Sequence, residues 1–244
     1  MIKIIIHITK FVIATVTALL FASCNFNMNS IEGSGNVTTE KRTVQGDFKN
    51  VSVSNAIDLV IEQSDVTEVT VEADDNLQKE IVTKVENGTL VISCKYSSFR
   101  NITMKKVTVK MPVIDKIEAS SASSVQSKNV IEGENITLES SSAASMQVNI
   151  ESDKISVDSG SGSSVTLEGK ALSLSTSASS GGSIEADKLA ANDVEAQASS
   201  GGTISVNSIV TLKAKASSGG NVNYTGTPKT VEKEASSGGN ISKS

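Results

Sequence analysis

The sequence predicts an all-β protein, a parallel β-solenoid (β-helix) with coils of about 19 residues. The first of three supporting observations is an internal repeat: ITLESSSAASM (136–146), ISVDSGSGSSV (155–165), LSTSASSGGSI (174–184), VEAQASSGGTI (194–204), LKAKASSGGNV (212–222) and VEKEASSGGNI (231–241). Their first residues lie 19, 19, 20, 18 and 19 apart, the sequence signature of a stacked architecture. The second is composition. Ser, Gly, Thr and Val fill every unit and all are poor helix formers. The third is alternation. Apolar and polar residues exchange in register from unit to unit, as stacked strands with one buried face require. A disordered Ser/Gly-rich tail would share the composition but has no reason to keep aliphatic columns.

Taken in order, residues 1–23 read as a signal peptide. Lys3 and Lys10 form a basic start, Phe11 to Phe21 an apolar stretch, and no acidic residue precedes Glu32. LLFASC (Leu19 to Cys24) resembles a bacterial lipobox, which makes Cys24 the expected lipidation site. A retained membrane helix is the competing reading, and Lys10 interrupts it. Residues 24–42, polar and Gly-bearing, read as a flexible tether. Residues 43–243 read as the solenoid domain, with longer irregular coils over 43–115 and Ser/Gly-cornered repeats over 116–243. In the first part, period-two runs appear at Val51/Val53, Ile57/Leu59/Ile61, Val69/Val71, Leu90/Ile92 and Val107/Val109. Residues 76–88 could hold a helical turn or two, but Asn87–Gly88 before TLVIS fits a hairpin turn between Ile81–Val85 and Leu90–Ile92.

Within the repeats, the opening residues Ile136, Ile155, Leu174, Val194, Leu212 and Val231 are all aliphatic. Met146, Val165, Ile184, Ile204, Val222 and Ile241 close the units, and Val148, Leu167, Ala186, Val206 and Tyr224 follow two residues later. Between these last two columns stand Gln147, Thr166, Glu185, Ser205 and Asn223, expected to face water. The column Ser140, Ser159, Ala178, Ala198, Ala216, Ala235 is small, and the column Ser142, Ser161, Ser180, Ser200, Ser218, Ser237 is always Ser. Both are expected to pack inside a narrow bend, with Ser200→Leu overpacking it. The Gly pairs 181–182, 201–202, 219–220 and 238–239 are expected to supply positive φ. Lys233 occupies a core-facing column that otherwise holds Leu138, Val157, Thr176, Ala196 and Ala214. It is expected to discourage end-to-end stacking on the last coil.

Chemistry is scarce. His7, the one histidine, falls in the signal peptide, so the mature chain has no imidazole and no Ser-His-Asp set. Cys24 and Cys94 are the only cysteines; with Cys24 lipidated, no disulfide and no Cys/His metal site remain. Cys94 reads as a buried, inert thiol, with its strand phase left open between Val91/Ser93 and Leu90/Ile92. Glu139 and Asp158 could stack one coil apart, near the lower limit for a glycosidase pair, but a solvated face is the better reading of both. No catalytic residue, metal site or cofactor is predicted, and the ligand-binding residues are unknown. Without 1–23 the chain has 20 basic and 27 acidic residues, a net charge of −7 that argues against nucleic acid and anionic lipid surfaces.

The stretches GSGNVTTEKRTVQGDFKNVSVSNAIDLVIEQS (33–64), VTVEADDN (69–76), ENGTLVIS (86–93), KVTVKMP (106–112) and the ASSGG coils resemble the head GIN domain family of putative auto-transporter adhesins, common as envelope lipoproteins of Bacteroidetes. The resemblance covers about residues 33 to 241. It implies a right-handed β-helix, an envelope location and an adhesive role, and it brings no catalytic residues. The chain leaves no room for a membrane-spanning translocator barrel. The expected function is that of a bacterial cell-envelope lipoprotein, lipid-anchored in the outer membrane, whose non-catalytic solenoid binds an extracellular glycan or protein. The alternatives are a structural or sensory scaffold for a protein partner and, third, a polysaccharide-active enzyme.

Overall fold

The computed structural model describes residues 29–244, together with Lys10. The expected signal peptide and Cys24 lie outside the described residues. Residues 29–244 form strands and turns, without a helix. The N-terminal part holds β1 (Ser30–Glu32), β2 (Val37–Arg42), β3 (Asn50–Val53), β4 (Asp58–Gln63), β5 (Glu68–Asp74), β6 (Ile81–Glu86), β7 (Thr89–Cys94), β8 (Ser98–Arg100) and β9 (Lys105–Met111). The repeats follow as β10 (Lys116–Ala119), β11 (Ser124–Ser127), β12 (Ile131–Ser140), β13 (Ser145–Ser159), β14 (Ser164–Ala178), β15 (Ser183–Ala198), β16 (Thr203–Ala216), β17 (Asn221–Gly226), β18 (Thr230–Ala235) and β19 (Asn240–Lys243).

From β10 onward every pairing is parallel and joins each coil to the next, which makes the fold a β-solenoid. β13 and β14 stay in register from Ser145↔Ser164 to Ser159↔Ala178, an offset of one 19-residue repeat. The aliphatic columns point inward: Ile136, Ile155, Leu174, Val194 and Leu212 are all buried, as are Val148, Leu167, Ala186, Val206 and Tyr224. Burying one such aliphatic side chain stabilises the fold by about 1.5–3 kcal/mol, so each coil is held by a few large residues above the same few in its neighbour. The small column is inward too, from Ser140 and Ser159 to Ala178, Ala198 and Ala216.

The corner departs from the sequence expectation. Ser142, Ser161, Ser180, Ser200, Ser218 and Ser237 do not pack inside the bend. Ser200 is exposed, and all six have φ between 48 and 52°. The next residue in each (Ala143, Gly162, Gly181, Gly201, Gly219, Gly238) is also left-handed, at 61 to 78°. Two successive positive φ values with an i→i+3 hydrogen bond, such as Gly202 N–H to the Ser199 carbonyl at 2.8 Å, define type I′ turns. Left-handed backbone favours Gly, Asn or Asp, but an Asp column would stack like charges one coil apart. Ser is small and neutral.

The Gly pairs divide their labour. Only the first member has positive φ. The second is needed for close approach: a Cβ on Gly202 would lie 2.4 Å from the Ala178 carbonyl oxygen of the preceding coil. The turns stack through their own ladder. The N–H of Ala56, Ala122, Ala143, Gly162, Gly181, Gly201 or Gly219 donates to the carbonyl of the left-handed Ser one coil on, at 2.8–3.2 Å.

The N-terminal part is not a plain series of irregular coils. β3 pairs with β7 on one side and β10 on the other; β4 likewise lies between β9 and β11. The coil made first is therefore second in space, and the chain passes outside it before returning to build the repeats. β5 adds antiparallel to β9, β2 antiparallel to β5, and β6 antiparallel to β7. The β6–β7 hairpin turns at Asn87 (φ 50°) and Gly88 (φ 75°), as its sequence predicts. Residues 30–42, expected within a flexible tether, instead carry β1 and β2. β2 is nearly all exposed, so it lacks the apolar alternation that would reveal a strand; backbone pairing with β5 holds it. A charge ladder crosses the outer face of this sheet: Lys41–Glu68 at 2.6 Å, Lys110–Glu68 at 3.9 Å, Lys106–Glu72 at 2.6 Å and Lys128–Glu62 at 2.9 Å. Hydrogen bonds from Lys41 and Lys128 hold the Glu68 and Glu62 carboxyls below the usual carboxylate range.

At the far end, Lys233 pairs in register with the buried Ala214 but is exposed. Its ammonium lies 4.5 Å from the Tyr224 ring centroid. The cation is thus held toward the ring face while the residue stays exposed at the end of the solenoid.

Candidate binding face

On the face between the second bend of each coil and its Ser/Gly turn, residues alternate inward and outward, and one outward column runs the length of the repeats. It reads Glu118, Glu139, Asp158, Ser177, Gln197, Lys215 and Glu234, each in register with the next. Its six coil steps span about 29 Å at roughly 4.8 Å per step. Three clefts lie along it. One, of about 360 Å³, reaches from Glu118 to Ser179. A second, of about 300 Å³, shares Ser177 with it and extends to Ser236. The third, of about 540 Å³, shares Lys215 and Glu234 with the second. Together they form one polar trough along the solenoid axis.

The chemistry of the trough changes along its length. Glu118, Glu139 and Asp158 make one end acidic; Lys116 contacts Glu139 at 2.8 Å and Glu118 at 3.9 Å. The middle is hydroxyl and amide, where Gln197 donates to Glu195 at 3.0 Å. Beyond it Lys215 pairs with Glu234 at 3.2 Å. The structure thus brings Glu139 and Asp158 into register, as the sequence allows, and adds Glu118 from β10, which lies outside the six aligned repeats and was not visible as a member of the column. Lys116 already engages Glu139. The trough contains donors and acceptors at every coil and no aromatic side chain. Tyr224 is buried in the core, and Phe99 lies beneath Lys105.

Among the described residues, no group of three or more His, Cys, Asp or Glu side chains is placed to hold a metal ion. Cys94 is buried in phase with Leu90 and Ile92, which settles its phase. Lys105 has a structural task. The Asn55 carbonyl is the first of the stacked-turn series and has no turn N–H from an earlier coil; the Lys105 ammonium donates to it at 2.9 Å. The Phe99 ring covers that ammonium, 3.1 Å from centroid to nitrogen, and burial pushes its pKa down to about 8. Asp74 is fully buried and accepts from the Thr103 N–H at 2.9 Å, which fixes the loop after β8. Neither group opens onto the trough.

Comparison with known proteins agrees with this architecture. The family model described as "Putative auto-transporter adhesin, head GIN domain" matches residues 47–228. A search of curated proteins finds no match. Among solved structures, a putative adhesin from Bacteroides fragilis is 24% identical, with a TM-score of 0.81, covering 88% of this chain and 100% of that one. A putative adhesin from Parabacteroides distasonis is 26% identical, with a TM-score of 0.72 and coverage of 88% and 100%. A protein from the same organism described as a putative lipid binding protein is 22% identical, with a TM-score of 0.69 and coverage of 88% and 99%.

Proposed function

Because the chain belongs to the head GIN domain family of putative auto-transporter adhesins, we propose that it is a non-catalytic binding protein of the bacterial cell envelope, with the polar trough as its contact surface. The observation that carries this reading is the continuity of the trough across seven coils. A row of hydroxyl, amide and charged groups repeating about every 4.8 Å suits an extended polymer laid along the axis, either a glycan or a polypeptide. Such a surface gains affinity from many weak hydrogen bonds rather than from one deep pocket. Catalysis on a polysaccharide is disfavoured because the stacked carboxylates Glu139 and Asp158 lie on an open face and Lys116 occupies one of them. The proposed anchor is lipid on Cys24, which would leave the solenoid free to meet ligands; one acyl chain alone anchors only marginally, so the multiply acylated N-terminus of a lipoprotein is what this requires.

Two experiments test these parts separately. Purified protein coupled to beads is presented with arrays of envelope polysaccharides and matrix proteins. Ser177→Arg with Gln197→Arg, which fills the middle of the trough, is expected to abolish retention, while Thr166→Arg outside it is not. Equal retention by both would remove the trough from the function. In cells, Cys24→Ala is expected to lose labelling by a fatty-acid analogue and to leave the membrane fraction; unchanged labelling would exclude the anchor.

A further inference from the structure

A second surface lies where each coil bends at the end opposite its Ser/Gly turn. There β12 to β16 surround a cleft of about 660 Å³. Its lining changes character from coil to coil. The first two coils contribute Glu132, Glu134, Glu151 and Asp153; later ones contribute Leu172 and Ile209. Leu172 is 56% exposed and Ile209 48%, and the two line one cleft, whereas the other exposed large aliphatics of the described residues (Val37, Val66, Val113, Val130 and Val231) lie outside it. Register orders the change: Glu132 pairs with Glu151, Glu151 with Lys170, and Lys170 with Ala190. Lys170 is tied to Glu151 at 3.2 Å. Among the described residues, Glu132, Glu134 and Asp153 have no ion pair.

We propose that this cleft docks an extended segment of a partner protein that is basic at one end and aliphatic at the other. The unpaired carboxylates select positive charge, and the exposed Leu172 and Ile209 side chains gain from being covered. From the coil of Glu132 to that of Ile209 is four steps, about 19 Å, which an extended chain spans in about six residues at roughly 3.3 Å each. The acidic end repels an anionic lipid surface. Among the described residues a second copy offers no free matching segment, because the basic-apolar stretch Lys105–Met111 is already paired as β9 on both edges. This surface lies apart from the trough, so either can fail without the other.

The test is fluorescence anisotropy with a fluorescein-labelled heptapeptide, three lysines, a glycine and three leucines in that order. Its comparison peptide has the same composition with lysine and leucine alternating. The block peptide is expected to bind at least ten-fold more tightly than the alternating one. Leu172→Asp and Asp153→Lys, both at exposed positions, are each expected to weaken it ten-fold or more, with Thr166→Lys unchanged and thermal melts of all three like wild type. Equal binding of the two peptides, no saturable binding, or insensitivity to both cleft variants would overturn the proposal. So would dimerisation of the wild type that Leu172→Asp abolishes, which would assign the cleft to a second copy. Cosedimentation with phosphatidylglycerol vesicles that is lost in the same variant would assign it to lipid and overturn it equally.

Discussion

Adding one methyl group to Gly202 tests what holds the coils at their spacing. A Cβ there would lie 2.4 Å from the Ala178 carbonyl oxygen and 2.6 Å from its carbon, where ordinary contact begins at 3.4 Å. Relief requires the corner to open by about 1 Å relative to the preceding coil. That movement stretches the Ser199 N–H to Ala178 carbonyl bond, now 2.9 Å, beyond hydrogen-bonding range. Overpacking of about 1–3 kcal/mol plus about 1 kcal/mol for the lost bond gives an expected cost of roughly 2–4 kcal/mol. Gly201→Ala is the control. Gly201 has φ of +75° with no atom within 4 Å of a built Cβ, and Ala56, Ala122 and Ala143 already hold that conformation in other corners. Its cost is the left-handed strain of about 1–2 kcal/mol, partly offset by about 0.4–1 kcal/mol from a less flexible unfolded chain. Urea titrations of both variants give the comparison, and in thermal melts each kcal/mol corresponds to about 2–4 °C for a chain of this size. The earlier corners carry Ser123, Ala144 and Ser163 at the Gly202 position, so a side chain fits where the coils are set for it. If Gly202→Ala cost no more than Gly201→Ala, the later corners would relax into that arrangement, and backbone approach would not be what requires glycine.

Ser200→Val is expected to destabilise by about 1–3 kcal/mol, because a β-branched residue is forced to φ of 49°, whereas Ser205→Val should stay within about 0.5 kcal/mol; equal chemical-denaturation midpoints would refute the turn assignment. Leu138→Ala, at a fully buried position, is expected to cost about 2–5 kcal/mol in the same assay, and a cost under 1 would contradict a packed coil interior. Lys105 makes stability depend on pH in a defined window. Its folded pKa of about 8 lies below the reference value of 10.5, so below pH 8 both states hold the proton and the burial penalty is complete. Between 8 and 10.5 the folded state releases it first, and wild type should gain stability relative to Lys105→Met, by roughly 1–2 kcal/mol after solvent screening. A flat difference between the two across that window would remove the buried ammonium from the energetics.

The repeats were legible because in-register parallel stacking sets each column of the sequence against itself. A position that faces the core in one coil faces it in all, so Ile136, Ile155, Leu174, Val194 and Leu212 announce both strand and burial. The hairpin at Asn87–Gly88 was legible too, since the two residues favour left-handed backbone by themselves. The Ser column is visible in the sequence, but its cause is not. Small size suits both a crowded interior and an exposed tight turn, and only the φ angles distinguish them. Contacts between distant segments leave no periodic trace. Nothing local in VTTEKR requires a strand until β5 lies beside it, and nothing in residues 50–63 shows that they stand between residues 89–111 and 116–127. The trough and the corner cleft were decided the same way. Their residues are unremarkable along the chain, one per coil, and become surfaces only when stacking brings positions 19 residues apart to within about 5 Å.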